Sequence, residues 1–412
     1  MIKKAEIDII VDDIRLEIER NNSVFNDASI EYGKMGAALY YFYCQKYYNN
    51  QSFVKRGELL IEESITILSE TSKKNEYIPK YKGDSVSQSL SSFGKGLLFI
   101  QNRFELEYDF SEYYSMLNEV LYESTRQAIN RTDYDYFSGC LSSGFYFLNQ
   151  YYYNNNDQHS IQILKEIVDS ILNSAIHHNK VEIYWRSPTY CNQVYLGLSH
   201  GSAMIINFLT KIFLFKIHNE KSEEIESVVR KSIRFLMNRK RNLTNGYFPY
   251  KFPAIEPFAE TQFSMCYGDL GILLGIYNAT RAFDLVDLSE EVNTMLHTCS
   301  SRKINKNQTQ DASILYGAAG LNQIFKDLFE ASGDSIFDNA SHYWYKQILQ
   351  YRNKEKLKLA GFIFDYEEDK KIHSSAKYSF FWGIGGIGIT LMLENDESLP
   401  NLNEITLIGI KN

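Results

Sequence analysis

A short glycine motif recurs seven times along the chain, and each copy precedes an apolar segment with the periodicity of a helix. Four copies contain two glycines three residues apart and begin at Gly33, Gly268, Gly317 and Gly383. The other three keep only the first glycine and begin at Gly96, Gly139 and Gly201. Successive copies begin 43 to 67 residues apart. This repeat constrains the fold strongly, because every copy must fold into a similar unit.

A repeat of about 60 residues is long enough for two helices and their connections, so each unit is expected to be a helical hairpin. The predicted companion helices cover residues 51–70, 113–130, 160–173, 223–237, 288–298 and 339–351. Glycine at a helix start allows neighbouring backbones to approach closely. We therefore predict an all-α fold, an α/α toroid of seven helical hairpins, as a single domain over residues 1–412. An open helical solenoid, whose glycines serve only close packing, is the alternative.

Other structural signals along the sequence are weak. The short alternating segments 181–185 and 361–365 predict at most small hairpins between helices. Three of the six prolines lie between residues 249 and 257, so this aromatic-rich segment is expected to be an irregular loop.

The composition excludes several classes of protein. Acidic residues outnumber basic ones, 51 to 43, and the net charge of −8 argues against a nucleic-acid partner. The longest nearly apolar segment, residues 380–393, is shorter than the about 20 residues that a membrane-spanning helix needs. The N-terminal segment has no signal-peptide pattern, and the five cysteines have no paired spacing. We predict a cytoplasmic protein that does not span a membrane.

Three polar residues lie beside the glycine motifs: Asp135, His200 and Cys266. An imidazole can transfer protons near neutral pH, a carboxylate can orient it, and a thiolate can bind a metal or attack an electrophile. The alternative is structural: His200 would bind helix-end carbonyls, Asp135 would cap a helix and Cys266 would fill the core. Asp269, next to Gly268, is expected to cap its helix.

Three segments resemble those of the lanthionine synthetase C-like family, the cyclases that close thioether rings in lantibiotic peptides. LGLSHGSA, which contains His200, resembles the family's Gly-Leu-Ala-His-Gly segment. MCYGDLG, which contains Cys266, resembles its Trp-Cys-Tyr-Gly segment, and DASILYGAAG resembles its Cys-His-Gly segment. The seven glycine motifs also match the family's sevenfold toroid, so the resemblance covers about residues 31–394.

The resemblance implies a zinc ion that activates the thiol of the substrate, held by residues equivalent to Cys266, Leu315 and Tyr316. Only the first is a zinc ligand, because leucine has no lone pair and a tyrosine oxygen is an uncommon ligand. We therefore predict that the usual zinc site is not formed and that no cofactor is bound. A replacement set of Cys191, Cys266 and His200 is the alternative.

The same resemblance places the family's active-site histidine at His200 and its aspartate at Asp135, whereas its arginine is replaced by Gln262. It implies a role in lanthipeptide maturation, with His200 as general acid or base and Asp135 as its partner. Tyr267, Gln262 and Tyr316 would line the substrate site. The expected partners are a ribosomally made precursor peptide and a dehydratase or second cyclase.

Two alternatives to this enzyme remain open. The first is a non-catalytic module that binds the precursor peptide or a partner enzyme of the same pathway. The second is a true zinc-dependent cyclase with replacement ligands.

Overall fold

A computed structural model describes residues 3–74, 85–155, 157–241, 246–254, 261–364 and 374–410. In these ranges the chain forms fourteen α-helices. The first seven are α1 (Lys4–Arg20), α2 (Lys34–Tyr48), α3 (Ser52–Lys74), α4 (Val86–Arg103), α5 (Glu112–Asn130), α6 (Cys140–Tyr153) and α7 (Gln158–Ser174). The others are α8 (Ser202–Leu214), α9 (Ser222–Met237), α10 (Asp269–Ala282), α11 (Val286–Ser300), α12 (Ala318–Ser332), α13 (Ser335–Ile348) and α14 (Ile384–Leu393).

Contacts divide the chain into two compact units. The first contains Met1–Leu121, Gln310–Gln323 and Ser341–Ile405, and in it α2 packs against α3 and α14 against α1. The second contains Tyr122–Thr309, Ile324–Ala340 and Thr406–Asn412, and in it α6 packs against α7, α8 against α9 and α10 against α11. The single domain over residues 1–412 stays a prediction.

The helices are of two kinds, as the repeat predicted. Those that follow the glycine motifs are buried over most of their surface; all ten residues of α14 are buried. The companion helices bury one stripe, as α9 does through Ile225, Val229, Ile233 and Leu236. All six predicted companion helices are present, as α3, α5, α7, α9, α11 and α13. None of the described helices is long and apolar enough to cross a bilayer.

Glycine is required at the helix starts because the preceding loop folds back onto it. Gly139 precedes α6, and a Cβ atom there would overlap the carbonyl oxygen of Asp133, six residues earlier. Gly201 precedes α8 and has the same relation to Tyr195. We expect even alanine at either position to displace the loop before the helix.

One predicted helix start is wrong. Gly96 lies inside α4, which begins ten residues earlier at Val86 and is capped by the Ser85 hydroxyl, which accepts from the amide of Gln88 at 3.1 Å. Gly96 instead makes room for the side chain of Met35 in α2. The helix start was missed because the sequence before Gly96 is rich in serine, which is not typical of a helix. In the structure the hydroxyl of Ser91 donates to the carbonyl of Ser87 within α4.

The described strands are two residues long and form two antiparallel pairs. β1 (Ile176–His177) pairs with β2 (Ile183–Tyr184), and β2 lies inside the predicted segment 181–185. β3 (Val194–Tyr195) pairs with β4 (Lys251–Phe252), so this part of the proline-rich segment is a strand and not irregular. Residues 255–257 of that segment lie outside the described residues. In the predicted segment 361–365, Phe362 forms an antiparallel bridge with Arg352 just after a short 3-10 helix that ends at Gly361, and residue 365 is outside the described ranges.

Candidate active site

His200 and Asp135 form a buried pair in the second unit. Asp135 lies in the loop before α6 and His200 in the loop before α8, and Oδ2 of the aspartate is 2.6 Å from Nδ1 of the imidazole. The side chain of Asp135 is 0% exposed and that of His200 is 9% exposed. The resemblance predicted this pair, and the structure brings the two side chains together.

The surroundings of Asp135 fix its orientation. Its Oδ1 atom accepts hydrogen bonds from the backbone amides of Phe137 at 2.8 Å and Ser138 at 2.9 Å. Oδ2 therefore remains to accept the Nδ1 proton of His200, which assigns the neutral imidazole a lone pair on Nε2. Nε2 has no hydrogen-bond partner among the described residues. Asp135 does not cap α6, since Gly139 is the cap residue.

A second carboxylate supports this loop. Asp133 accepts from the amide of Asp135 at 3.3 Å and from the hydroxyl of Thr189 at 2.5 Å. Burial raises the pKa of Asp133, because the charged form loses its hydration. Asp133 thus connects the Asp135 loop to the segment that precedes β3.

Aromatic rings surround His200. The centroid of its ring is 4.5 Å from that of Tyr190, 5.5 Å from Tyr195, and 5.8 Å from both Tyr267 and Phe137. The pairing of β3 with β4 adds Tyr250, whose ring lies 6.5 Å from Tyr195 and 6.1 Å from Tyr267. We call Tyr190, Tyr195, Tyr250 and Tyr267 the tyrosine wall.

Only Tyr267 of the tyrosine wall was among the predicted site residues. Tyr190 precedes β3 and Tyr195 lies in it, and both rings contact His200. Tyr250 comes just before β4, and the pairing of β4 with β3 brings it beside Tyr195. Tyr195 lies six residues before Gly201, but Tyr190 and Tyr250 are not beside a glycine motif. Their high local density, with tyrosines at positions 184, 190 and 195, is the one signal in the sequence that could have indicated them.

The thiol of Cys266 is buried against the residue before His200. Its Sγ donates to the hydroxyl of Ser199 at 2.9 Å, and that hydroxyl donates to the carbonyl of Cys266 at 3.3 Å. Cys266 is 1% exposed. The structure therefore places Cys266 beside the His200 loop, with its sulfur in contact with a hydroxyl.

The remaining predicted residues differ in their surroundings. Gln262 is half-buried, and its Oε1 atom is buried with no hydrogen-bond partner among the described residues. Tyr316 belongs to the first unit, where it is half-buried and its amide donates to the Ser313 hydroxyl at 3.3 Å. Leu315 is buried, and its amide donates to the carbonyl of Phe381 at 3.0 Å.

The side chains present do not fit the zinc ion that the resemblance implies. Leucine at position 315 offers no ligand atom, and within the described ranges no three histidine, cysteine, aspartate or glutamate side chains are grouped closely enough to bind a metal. Cys191 is exposed and lies in a left-handed backbone conformation. The replacement set of Cys191, Cys266 and His200 is therefore not assembled.

Comparisons with known proteins agree with the fold. The model of the family described as lanthionine synthetase C-like protein matches residues 24–405. A solved structure of a nisin cyclase superposes with a TM-score of 0.71 at 18% sequence identity, covering 98% of each chain. This match confirms the predicted all-α fold of the α/α toroid class. No curated protein matches the sequence.

Proposed function

Because the chain belongs to the lanthionine synthetase C-like protein family, we propose that it acts on a ribosomally made precursor peptide with dehydrated serine or threonine residues. The observation that supports this proposal is the His200–Asp135 pair, with the imidazole ring beside the tyrosine wall. A dehydratase that supplies the dehydrated peptide, or a second cyclase, is the partner we propose. We also propose that the chain works in the cytoplasm.

The proposed reaction adds a cysteine thiol of the peptide to a dehydro residue. Nε2 of His200 accepts the thiol proton, and the thiolate sulfur forms a bond to the β-carbon of the dehydro residue. The double-bond electrons move to form an enolate, and the imidazolium returns the proton to the α-carbon. The product has the same mass as the substrate. The imidazolium is stabilised by the Asp135 carboxylate, which is 2.6 Å from its Nδ1 atom.

A non-catalytic peptide-binding module is the second candidate. It is favoured by Leu315, which replaces a zinc ligand of the family and is apolar and buried. Cys266, the one ligand that is kept, is buried with its thiol in contact with Ser199. In that case the tyrosine wall would bind the peptide, and ring closure would take place on another protein.

We expect the wild type to close rings on a dehydrated precursor and His200→Ala to slow closure about 10²–10⁴-fold with peptide affinity retained. The measurement follows free thiols at constant peptide mass, with affinity measured separately. His297→Ala is the matched control, because His297 pairs with Asp334 at 2.8 Å but is exposed. A wild type that binds the peptide without consuming thiols, with binding unchanged in His200→Ala, would support the module. If the wild type neither binds the peptide nor closes rings, both candidates are contradicted.

We expect the purified protein to contain far less than one zinc per chain, because a thiolate without further ligands cannot hold the ion. Elemental analysis of protein prepared without chelators measures this directly. About one zinc per chain, lost in Cys266→Ala, would show that other residues complete a site and would favour the zinc-dependent cyclase.

A further inference from the structure

Asp269 binds a segment outside its own helix. It is the first residue of α10 and is 0% exposed, but it does not cap that helix as the sequence predicted. Its Oδ1 atom instead accepts from the backbone amides of Tyr247 and Phe248, both at 2.9 Å. Oδ2 also lies 2.9 Å from the amide of Tyr247. The carboxylate therefore holds the segment that leads into β4.

Arg302 supplies the countercharge for this carboxylate. Its Nη2 atom is 2.6 Å from Oδ2 of Asp269, and its guanidinium lies 4.9 Å from the ring of Phe263 and 5.6 Å from that of Tyr247. The side chain of Arg302 is 14% exposed. A charge-assisted bond in such a shielded place is stronger than a surface ion pair, so the anchor on the segment is firm.

The anchored segment carries part of the tyrosine wall. Tyr250 follows Phe248 by two residues, and its carbonyl accepts from the amide of Leu196 at 3.1 Å. The next two residues form β4, which pairs with β3 and so with Tyr195. Tyr250 is 45% exposed, and its ring lies beside that of Tyr267. The position of this exposed ring therefore depends on the backbone that Asp269 binds.

We propose that Asp269 is a positioning residue for peptide binding: through Tyr247 and Phe248 it holds Tyr250 in the tyrosine wall beside His200. This inference rests on the proposed function. Asp269 bonds to neither His200 nor Asp135 in the structure, so its loss should weaken binding of the peptide and leave the proton-transfer step intact. A purely structural anchor would change stability without a selective change in affinity.

The test compares Asp269→Asn and Arg302→Gln with the wild type. Both variants lose the charged bond between positions 269 and 302. We therefore expect amide hydrogen exchange in residues 246–252 to accelerate, and the KM for dehydrated precursor to rise about 10- to 100-fold. The kcat and its pH profile should stay unchanged, and Arg302→Lys should recover much of the affinity because it keeps the charge. Asp157→Asn is the matched control. Asp157 also accepts from a backbone amide, that of His159, but it caps α7.

Unchanged exchange in residues 246–252, or a fall in kcat with unchanged KM, would overturn the proposal. If Asp269→Asn does not fold, Arg302→Gln and Arg302→Lys decide it by the same two readouts. A wild type that neither binds nor cyclises the peptide would defeat the proposed function and, with it, the role in peptide affinity. The exchange rates would still show separately whether Asp269 holds the segment.

Discussion

Asp135→Asn is expected to slow ring closure by about 10²–10⁴-fold while the protein folds normally. The amide oxygen of asparagine can still accept from Phe137 and Ser138, so its Nδ2 group would point to the imidazole of His200. That group donates a hydrogen bond, which favours the tautomer with the proton on Nε2. The atom that should accept the thiol proton would then be occupied.

Single-turnover assays with dehydrated precursor, together with thermal unfolding, measure this prediction. Asp334→Asn is the matched control, since it changes the exposed pair with His297 in the same way. Ring closure near the wild-type rate in Asp135→Asn would show that the tautomer of His200 does not matter and would contradict the acid–base role.

Lys95→Met is expected to lower the free energy of unfolding by about 3–5 kcal/mol, because it leaves the charge of Glu31 buried without its countercharge. Lys95 and Glu31 are each 1% exposed in the first unit, and Ser92 donates a hydrogen bond to the carboxylate. Burial lowers the pKa of Lys95 to about 8 and raises the pKa of Glu31, in each case by disfavouring the charged form. Denaturant unfolding of both proteins at neutral pH gives the difference.

The repeat itself supplies the compensating change. Residues 27–33 read DASIEYG and residues 311–317 read DASILYG, so Leu315 occupies in its loop the place of Glu31. Glu31→Leu combined with Lys95→Met should therefore recover most of the lost stability, as apolar replacements of buried ion pairs often do. A double variant no more stable than Lys95→Met would contradict this explanation.

The loss in Lys95→Met should also depend on pH. The pKa of Glu31 is raised in the folded protein, so the folded state holds its proton more tightly than the unfolded state. Stability from this group is therefore greatest at acidic pH and is lost as pH rises through the folded pKa. We expect the difference between Lys95→Met and the wild type to shrink as the pH is lowered.

Local rules explain what could be predicted from the sequence. At Gly139 and Gly201, where α6 and α8 begin, the backbone leaves no room for a Cβ atom. Only glycine fits there, so the helix starts can be recognised in the sequence. The positions of Asp135 and His200 beside glycine motifs made both of them candidate site residues, and the resemblance implied that they act as a pair. Gly96 shows the limit of the rule, because a glycine that makes room for Met35 looks the same in the sequence as one that begins a helix.

The unpredicted parts of the site depend on contacts between distant segments. Tyr250 reaches the tyrosine wall because β4 pairs with β3, and two-residue strands leave no periodic pattern. Asp269 looked like a helix cap because residues of its type at that position usually are. Its partners are Tyr247, in the segment before β4, and Arg302, the second residue after α11.

At each glycine that precedes a helix, a Cβ atom would overlap the residue six positions earlier. The backbone of the loop is therefore fixed by this close approach and not by the reactive side chains. Atoms of the main chain fix the loop, since Gly33, Gly139, Gly201 and Gly317 all lie against a carbonyl. The two side chains before the glycine differ from loop to loop. Before Gly33, Gly201, Gly268 and Gly317 they are, in that order, Glu31 and Tyr32, Ser199 and His200, Cys266 and Tyr267, and Leu315 and Tyr316. The side chains at these two positions therefore differ from loop to loop, while the backbone approach at the glycine stays the same. A chain built this way can keep its fold while its loops come to carry different side chains, provided that a buried charge such as Glu31 changes together with its countercharge, Lys95.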